Sequence, residues 1–213
     1  ILDVHEPVIC CQGAVTIDPD TRNVTHHLPV GQDIARDILA YTDRIGLYGQ
    51  YYSLDKYYIQ DVCKESEFYR SLCYVAGTPT GRPLHESLDF DPTKLLFIAS
   101  EEEIRRQHAI FTEKWGDELQ IVMSKPIYLE VTHKDAHKGY AVRQLAQYLG
   151  IDMQEVMTFG DALNDVTMIQ AAGIGVAVGN ASQAAKDAAD IVAPPQSEDG
   201  AAQVIERIIL GEG

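Results

Sequence analysis

The chain has 213 residues and carries 17 Lys and Arg against 32 Asp and Glu, a formal charge of -15. The length suits one large or two small domains, and the charge excludes sequence-independent nucleic-acid binding, which relies on Lys and Arg to neutralise phosphates. No apolar run is long enough to span a membrane and no basic-then-apolar leader occurs, so neither a membrane partner nor secretion is expected.

The first residue is Ile1 and not Met, so a processed or truncated polypeptide is the expectation. Strand-like apolar runs follow at residues 8–11, 14–17, 95–99, 119–123 and 128–131. Between them lie two helical patterns. Residues 31–44 place Ile34, Ile38 and Leu39 at helical spacing, and residues 101–115 open with three glutamates where a helix dipole favours them. Tyrosines cluster at 48, 51, 52, 57, 58 and 69, a pattern that suits the packing of an α+β domain better than ligand contact. The four cysteines, Cys10, Cys11, Cys63 and Cys73, form no CxxC pair, which points to free thiols in a reducing, cytoplasmic compartment.

From about residue 133 the rhythm becomes a regular alternation: helix 139–149, strand 155–159, helix 164–172, strand 174–178, helix 182–189, strand 191–192 and helix 200–210. Such alternation with short loops indicates parallel βαβ units, one half of a doubly wound sheet. The expected division is residues 1–124 as an α+β domain and residues 125–213 as part of an α/β core.

Ligands bind beyond the carboxyl ends of strands in such sheets, so the loops leaving strands are the places to search. The run EVMTF leads into GDALND, which places Asp161 at a strand tip and Asn164 and Asp165 on the first turn of the next helix. Two carboxylates and an amide there suit a hard cation such as magnesium, which takes one or two protein carboxylates plus water and phosphate oxygens. They would equally serve as a helix cap. Lys138, at a loop end before an amphipathic helix, reads either as a solvated surface charge or as a compact cation for a phosphate.

The stretch from Tyr128 to Ile209 resembles the C-terminal part of the Cof-type sugar phosphatases of the haloacid dehalogenase superfamily. The resemblance is carried by Leu-Glu-Val before the lysine loop, Lys138-Gly139, Gly160-Asp161-x-x-Asn164-Asp165, Gly179-Asn180-Ala181, Ala189-Asp190 and Glu198-Asp199-Gly200. The first 125 or so residues resemble the family's C2-type α+β cap. It implies a magnesium-dependent hydrolase of small phosphorylated metabolites acting through an aspartyl-phosphate. Lys138 would hold the transferring phosphoryl group, Asp161 would bind Mg2+, Asn164 would contact substrate or phosphate, and Asp165 would orient Lys138 or the metal's water shell.

The family also needs an N-terminal strand ending in Asp-x-Asp-Gly-Thr and a second strand ending in Ser or Thr. Three stretches imitate these. In AVTIDPDTRN, Asp18-Pro19-Asp20-Thr21 has the acids, but Pro19 removes a backbone N–H and the sequence is good hairpin-turn chemistry. Asp89-Phe90-Asp91 precedes a strand instead of ending one, and Thr80-Gly81-Arg82-Pro83 follows a weak strand broken by Gly and Pro. The chain is therefore expected to begin after the nucleophile motif, leaving the core incomplete at its N-terminus and inactive by itself. Exposed sheet edges would then favour a homo-oligomer or poor stability. The alternative is a non-catalytic remnant that binds phosphorylated metabolites or a partner. A P-type ATPase fragment, which would share Gly-Asp-x-x-Asn-Asp, is excluded by the lack of Asp-Lys-Thr-Gly and of an apolar span.

Overall fold

The computed structural model describes residues 4–211; Ile1 lies outside them. The chain divides into two units: described residues up to His26 together with those from His137 onward, and His27–Ala136.

In the first unit, β1 (Val8–Cys10), β2 (Val15–Ile17) and β3 (Val24–His27) form a three-stranded sheet in that order. The acids that mimic a nucleophile motif make the β2–β3 turn. Asp18 Oδ1 accepts from the backbone N–H of Asp20 at 3.0 Å and of Thr21 at 2.8 Å, and Asp18 N–H reaches the Asn23 carbonyl at 2.9 Å. Those bonds hold the Asp18 carboxyl below its ordinary value, which is the electrostatic mark of an Asx turn.

The second unit is built on six strands. Its elements are α1 (Gln32–Ile45), β4 (Gly49–Tyr52), β5 (Tyr57–Ile59), α2 (Lys64–Cys73), β6 (Thr78–Pro79), α3 (Leu84–Ser87), β7 (Lys94–Ile98), α4 (Glu101–Trp115), β8 (Leu119–Lys125) and β9 (Tyr128–His133). The sheet order is β6-β5-β4-β7-β9-β8, antiparallel except for β5 with β6. Period-two alternation sends Leu95 and Phe97 to one face, where they meet Ile38 and Leu39 of α1 and Ile104 and Phe111 of α4 in one buried cluster. The other face carries Leu96, Ile98 and Tyr128, flanked by Tyr48, Tyr52 and Tyr69. There a hydroxyl chain runs from Tyr48 to Gln50 at 2.8 Å, from Gln50 to Tyr52, and from Tyr52 to Tyr69 at 2.8 Å. Desolvation pushes the phenols of Tyr48 and Tyr52 well up, so they stay protonated and able to donate. The start of α4 follows its sequence: Ser100 Oγ accepts from Glu103 N–H, the cap bond expected before a run of acids.

The remaining elements return to the first unit. They are α5 (Lys138–Leu149), a 3-10 turn (Met153–Glu155), β10 (Met157–Gly160), a second 3-10 turn (Leu163–Asp165), α6 (Val166–Ala171), β11 (Ile174–Ala177), α7 (Gln183–Ala188), β12 (Ile191–Val192) and α8 (Gly200–Ile205). A π-helical turn (Glu206–Leu210) extends α8. Strands β10, β11 and β12 are parallel and in that order, which is the βαβ arrangement that the alternation implies.

The division of the chain differs from the sequence-based boundary at 124/125. That cut would split the β8–β9 hairpin, whose register pairs Lys125 with Tyr128 and Val122 with Glu130. Residues 4–26 belong with the C-terminal residues and not with 27–136, because β1, β2 and the turn between them pack on α5. A strand reading by itself does not say which sheet a strand joins, and that is why the sequence placed them with their neighbours in the chain.

Candidate active site

The site is assembled where α5 begins and β10 ends. Lys138 is the first residue of α5, and the preceding His137 caps the helix by accepting the Tyr140 N–H on Nδ1 at 3.1 Å. The Lys138 side chain donates to Asp165 Oδ1 at 2.5 Å. The other carboxylate oxygen, Oδ2, accepts the backbone N–H groups of Asp161 and Ala162, both at 3.0 Å. Asp165 is 3% exposed, so its charge depends on these three donors. Burial alone would push its carboxyl up; the Lys138 bond and the two amides outweigh that and hold it below the usual carboxylate range.

Gly160 explains why the chain can fold back so tightly. A Cβ at that position would stand 2.5 Å from the Cβ of Asp165, closer than any side chain tolerates. The strand therefore ends in glycine so that the 161–165 loop can turn its own acid under its own amides.

Asn164 is held from another direction. Its Nδ2 donates to Gln12 Oε1 at 2.9 Å. Gln12 lies in the turn between β1 and β2, where Cys11, Gln12 and Gly13 have φ of 51°, 60° and 103°. Gly13 is needed there twice over, for its left-handed φ and because a Cβ would lie 2.7 Å from the His137 carbonyl oxygen. The turn thus touches both the start of α5 and the loop after β10. A cavity of about 360 Å³ opens among them, with Ile9, Gln12, Gly13, Lys138, Asn164 and Met168 on its walls.

Three of the four residues singled out in the sequence are drawn together in this way: Lys138 and Asp165 by direct contact, and Asn164 by sharing a cavity wall with Lys138. Asp161 joins through its main chain only. Its carboxylate is exposed and makes no hydrogen bond among the described residues, and its carbonyl accepts the Ser182 N–H at 2.8 Å. No group of three or more His, Cys, Asp or Glu side chains able to hold a metal occurs among the described residues. The donor set nonetheless fits magnesium as a one-carboxylate contribution from Asp161, since that ion keeps several waters and takes phosphate oxygens. Both oxygens of Asp165 already accept hydrogen bonds, one on Oδ1 and two on Oδ2.

The imitations of the nucleophile motif are held in local bonds of their own. Asp20 pairs with His5 at 3.0 Å, Asp91 Oδ1 accepts the Gln32 N–H at 2.7 Å, and Thr80 donates to the Arg82 carbonyl at 2.7 Å in a loop after β6. Gln12 is the participant that sequence reasoning missed. Its only signal was a Gln-Gly pair interrupting an apolar run, which reads as a strand break without saying what faces it.

Comparison with known proteins agrees on one family. The haloacid dehalogenase-like hydrolase profile matches residues 1–205. The chain is 28% identical over 242 residues to Bacillus subtilis phosphatase YwpJ, covering 98% of this chain and 84% of that one. It is 36% identical over 122 residues to the B. subtilis 5-amino-6-(5-phospho-D-ribitylamino)uracil phosphatase YcsE, covering 57% of this chain and 49% of the relative. The crystal structure of TM0651 from Thermotoga maritima superposes with a TM-score of 0.80 at 30% identity, over 92% of this chain and 73% of that one.

Proposed function

Because the chain belongs to the haloacid dehalogenase-like hydrolase family, we propose that it carries the lysine and metal half of a magnesium-dependent phosphatase for small phosphorylated metabolites of the sugar-phosphate type. The observation that carries this reading is the Lys138–Asp165 pair, whose lysine lines a cavity together with Asn164. Asp165 uses one oxygen to fix the lysine and the other to fix the loop, so the ammonium is presented in one place with N–H donors to spare.

In this reading Lys138 binds the transferring phosphoryl group and offsets the charge that develops on its oxygens. Asn164 contacts the phosphate or the leaving group. Asp161 is the magnesium ligand, and the bound ion would supply charge neutralisation between phosphate oxygens and protein. The unit His27–Ala136 serves as a C2-type cap, and the other unit is part of the catalytic core.

The chemistry also needs a carboxylate that attacks phosphorus in line, expels the alcohol and is released from the resulting aspartyl-phosphate by water. None of the described residues offers one beside β10. That strand pairs only with β11, so its other edge is open to the parallel strand on which such a carboxylate would sit. The 213 residues by themselves are therefore expected to bind phosphate without hydrolysing its esters, and a non-catalytic phosphometabolite-binding role is the alternative that this half-site favours.

Hydrolysis of p-nitrophenyl phosphate with and without Mg2+ tests the reading. The 213-residue chain should give no turnover, and a chain that carries the nucleophile strand should turn over and lose that activity on Asp161→Ala. Robust magnesium-dependent turnover by the 213 residues that survives Asp18→Asn would contradict the assignment of the missing nucleophile.

A further inference from the structure

We infer that Gln12 is a ligand-contacting residue of the phosphate cavity, donating its side-chain N–H to an oxygen of the bound phosphate monoester. The inference rests on the reading of Lys138 as the phosphate lysine and adds to it a residue from the opposite wall.

Gln12 has one hydrogen bond, and it engages only the oxygen of the amide: Oε1 accepts from Asn164 at 2.9 Å. A carboxamide offers two further donors on Nε2, and an oxygen clamped in place fixes the plane in which they lie. These donors have no partner among the described residues, yet Gln12 lines the same cavity as Lys138 and Asn164. The titratable groups lining that space are the Lys138 ammonium and the thiols of Cys10 and Cys11. The Asp165 carboxylate is buried and accepts three hydrogen bonds. The walls therefore combine an ammonium with two side-chain amides and two thiols and carry no carboxylate, in a molecule whose formal charge is -15. Donors concentrated against the sign of the whole protein select an anion with several acceptor oxygens, which describes a phosphate monoester.

The backbone supports the same assignment. Cys11 and Gln12 are non-glycine residues held at φ of 51° and 60°, a left-handed region that L side chains adopt only against steric strain. An extended Gln12 would keep its neighbours in regular strand but would direct the amide elsewhere. The left-handed turn, clamped by Gly13 on the His137 carbonyl, sets the amide beside the start of α5.

Titration of the 213-residue chain with inorganic phosphate in the presence of Mg2+ provides the test. Calorimetry is run at low and at high salt so that general charge effects are screened. Gln12→Ala should weaken phosphate binding by about tenfold, the loss expected for one hydrogen bond to a charged group. Gln12→Glu separates contact from positioning: the carboxylate can still accept from Asn164 but cannot donate. It should weaken binding at least as much as Gln12→Ala, and the loss should persist at high salt. Gln12→Asn, which tolerates a left-handed φ, guards against a folding defect and should also bind more weakly at an unchanged thermal midpoint. Unchanged affinity in Gln12→Ala and Gln12→Asn, with Lys138→Ala losing phosphate, would overturn the inference and leave the lysine reading standing. Retained affinity in Gln12→Glu at high salt would overturn it in favour of Gln12 acting only by holding Asn164. No phosphate binding by the wild-type chain, or binding unaltered in Lys138→Ala, would overturn both.

Discussion

The two units are held together in different ways. His27–Ala136 is organised around large side chains on a six-stranded sheet, with Tyr51, Phe97, Phe111, Ile38, Leu39 and Leu129 each at most 1% exposed. The unit that carries Lys138 has two three-stranded sheets, and its buried clusters are small: Ile169 with Ala177, Ala181 and Ala185, and Val176 with Ala193 and Val204. Where the core is thin, local hydrogen bonds define the geometry, and the Asp165 carboxylate with its three donors is the clearest instance. The lesson is that the proposed site lies on the unit with the smaller buried clusters, where donors placed by glycine turns add to the packing.

The comparison can be broken most forcefully in the aromatic core. Phe111, fully buried and in edge contact with Tyr41, Phe97 and Trp115, should cost about 3–5 kcal/mol on Phe111→Ala, read as a lowered midpoint in urea unfolding. Phosphate binding, assigned to residues outside this cluster, should be far less affected than stability. Asp165→Asn comes next. The neutral amide keeps an acceptor for one backbone donor but loses the charge that holds Lys138, with a cost of about 2 kcal/mol and loss of phosphate affinity. An equal loss of stability with unaltered phosphate binding would separate Asp165 from the site.

Smaller effects are resolved by pH. The folded carboxyl of Asp165 lies below its unfolded value of 3.8, so its stabilisation is complete above about pH 5 and is lost as acid titrates through the lower folded value. His26 acts in a different window. Burial pushes its imidazole below the ordinary 6.5, and its Nε2 has no hydrogen-bond partner in the structure. Its protonation therefore favours the unfolded chain, and stability should begin to fall as pH drops below 6.5. His26→Phe should remove that first decline while Asp165→Asn removes the more acidic one. A stability curve flat from pH 7 to 5 in the wild type would contradict the assignment to His26. The smallest change is expected from Asp18→Asn, because the amide oxygen can still accept in the turn; phosphate affinity should stay the same.

Much of this was legible in the sequence. Helix 101–115, the parallel alternation after residue 133 and the turn at Asp18-Pro19-Asp20-Thr21 all follow from local signals, namely an acid-rich cap, a 3.6-residue period and proline chemistry. Lys138, Asn164 and Asp165 stand out in the sequence as candidates because motif and loop position coincide. The short elements β4, β5, β6 and α3 escaped notice, since runs of two to four residues carry no measurable period. The return of residues 4–26 to the C-terminal unit was illegible for another reason: it is fixed by the Gly13–His137 approach and the Gln12–Asn164 bond, contacts between residues more than 120 positions apart. Gln12 was missed with them.

The most direct test of the central claim is a titration of the 213-residue chain with inorganic phosphate in the presence of Mg2+, comparing wild type with Lys138→Ala. The half-site described above predicts saturable binding that is lost in Lys138→Ala while the chain stays folded, its thermal midpoint lowered because the buried Asp165 carboxylate loses its ammonium partner. Equal affinity in the two proteins would contradict it.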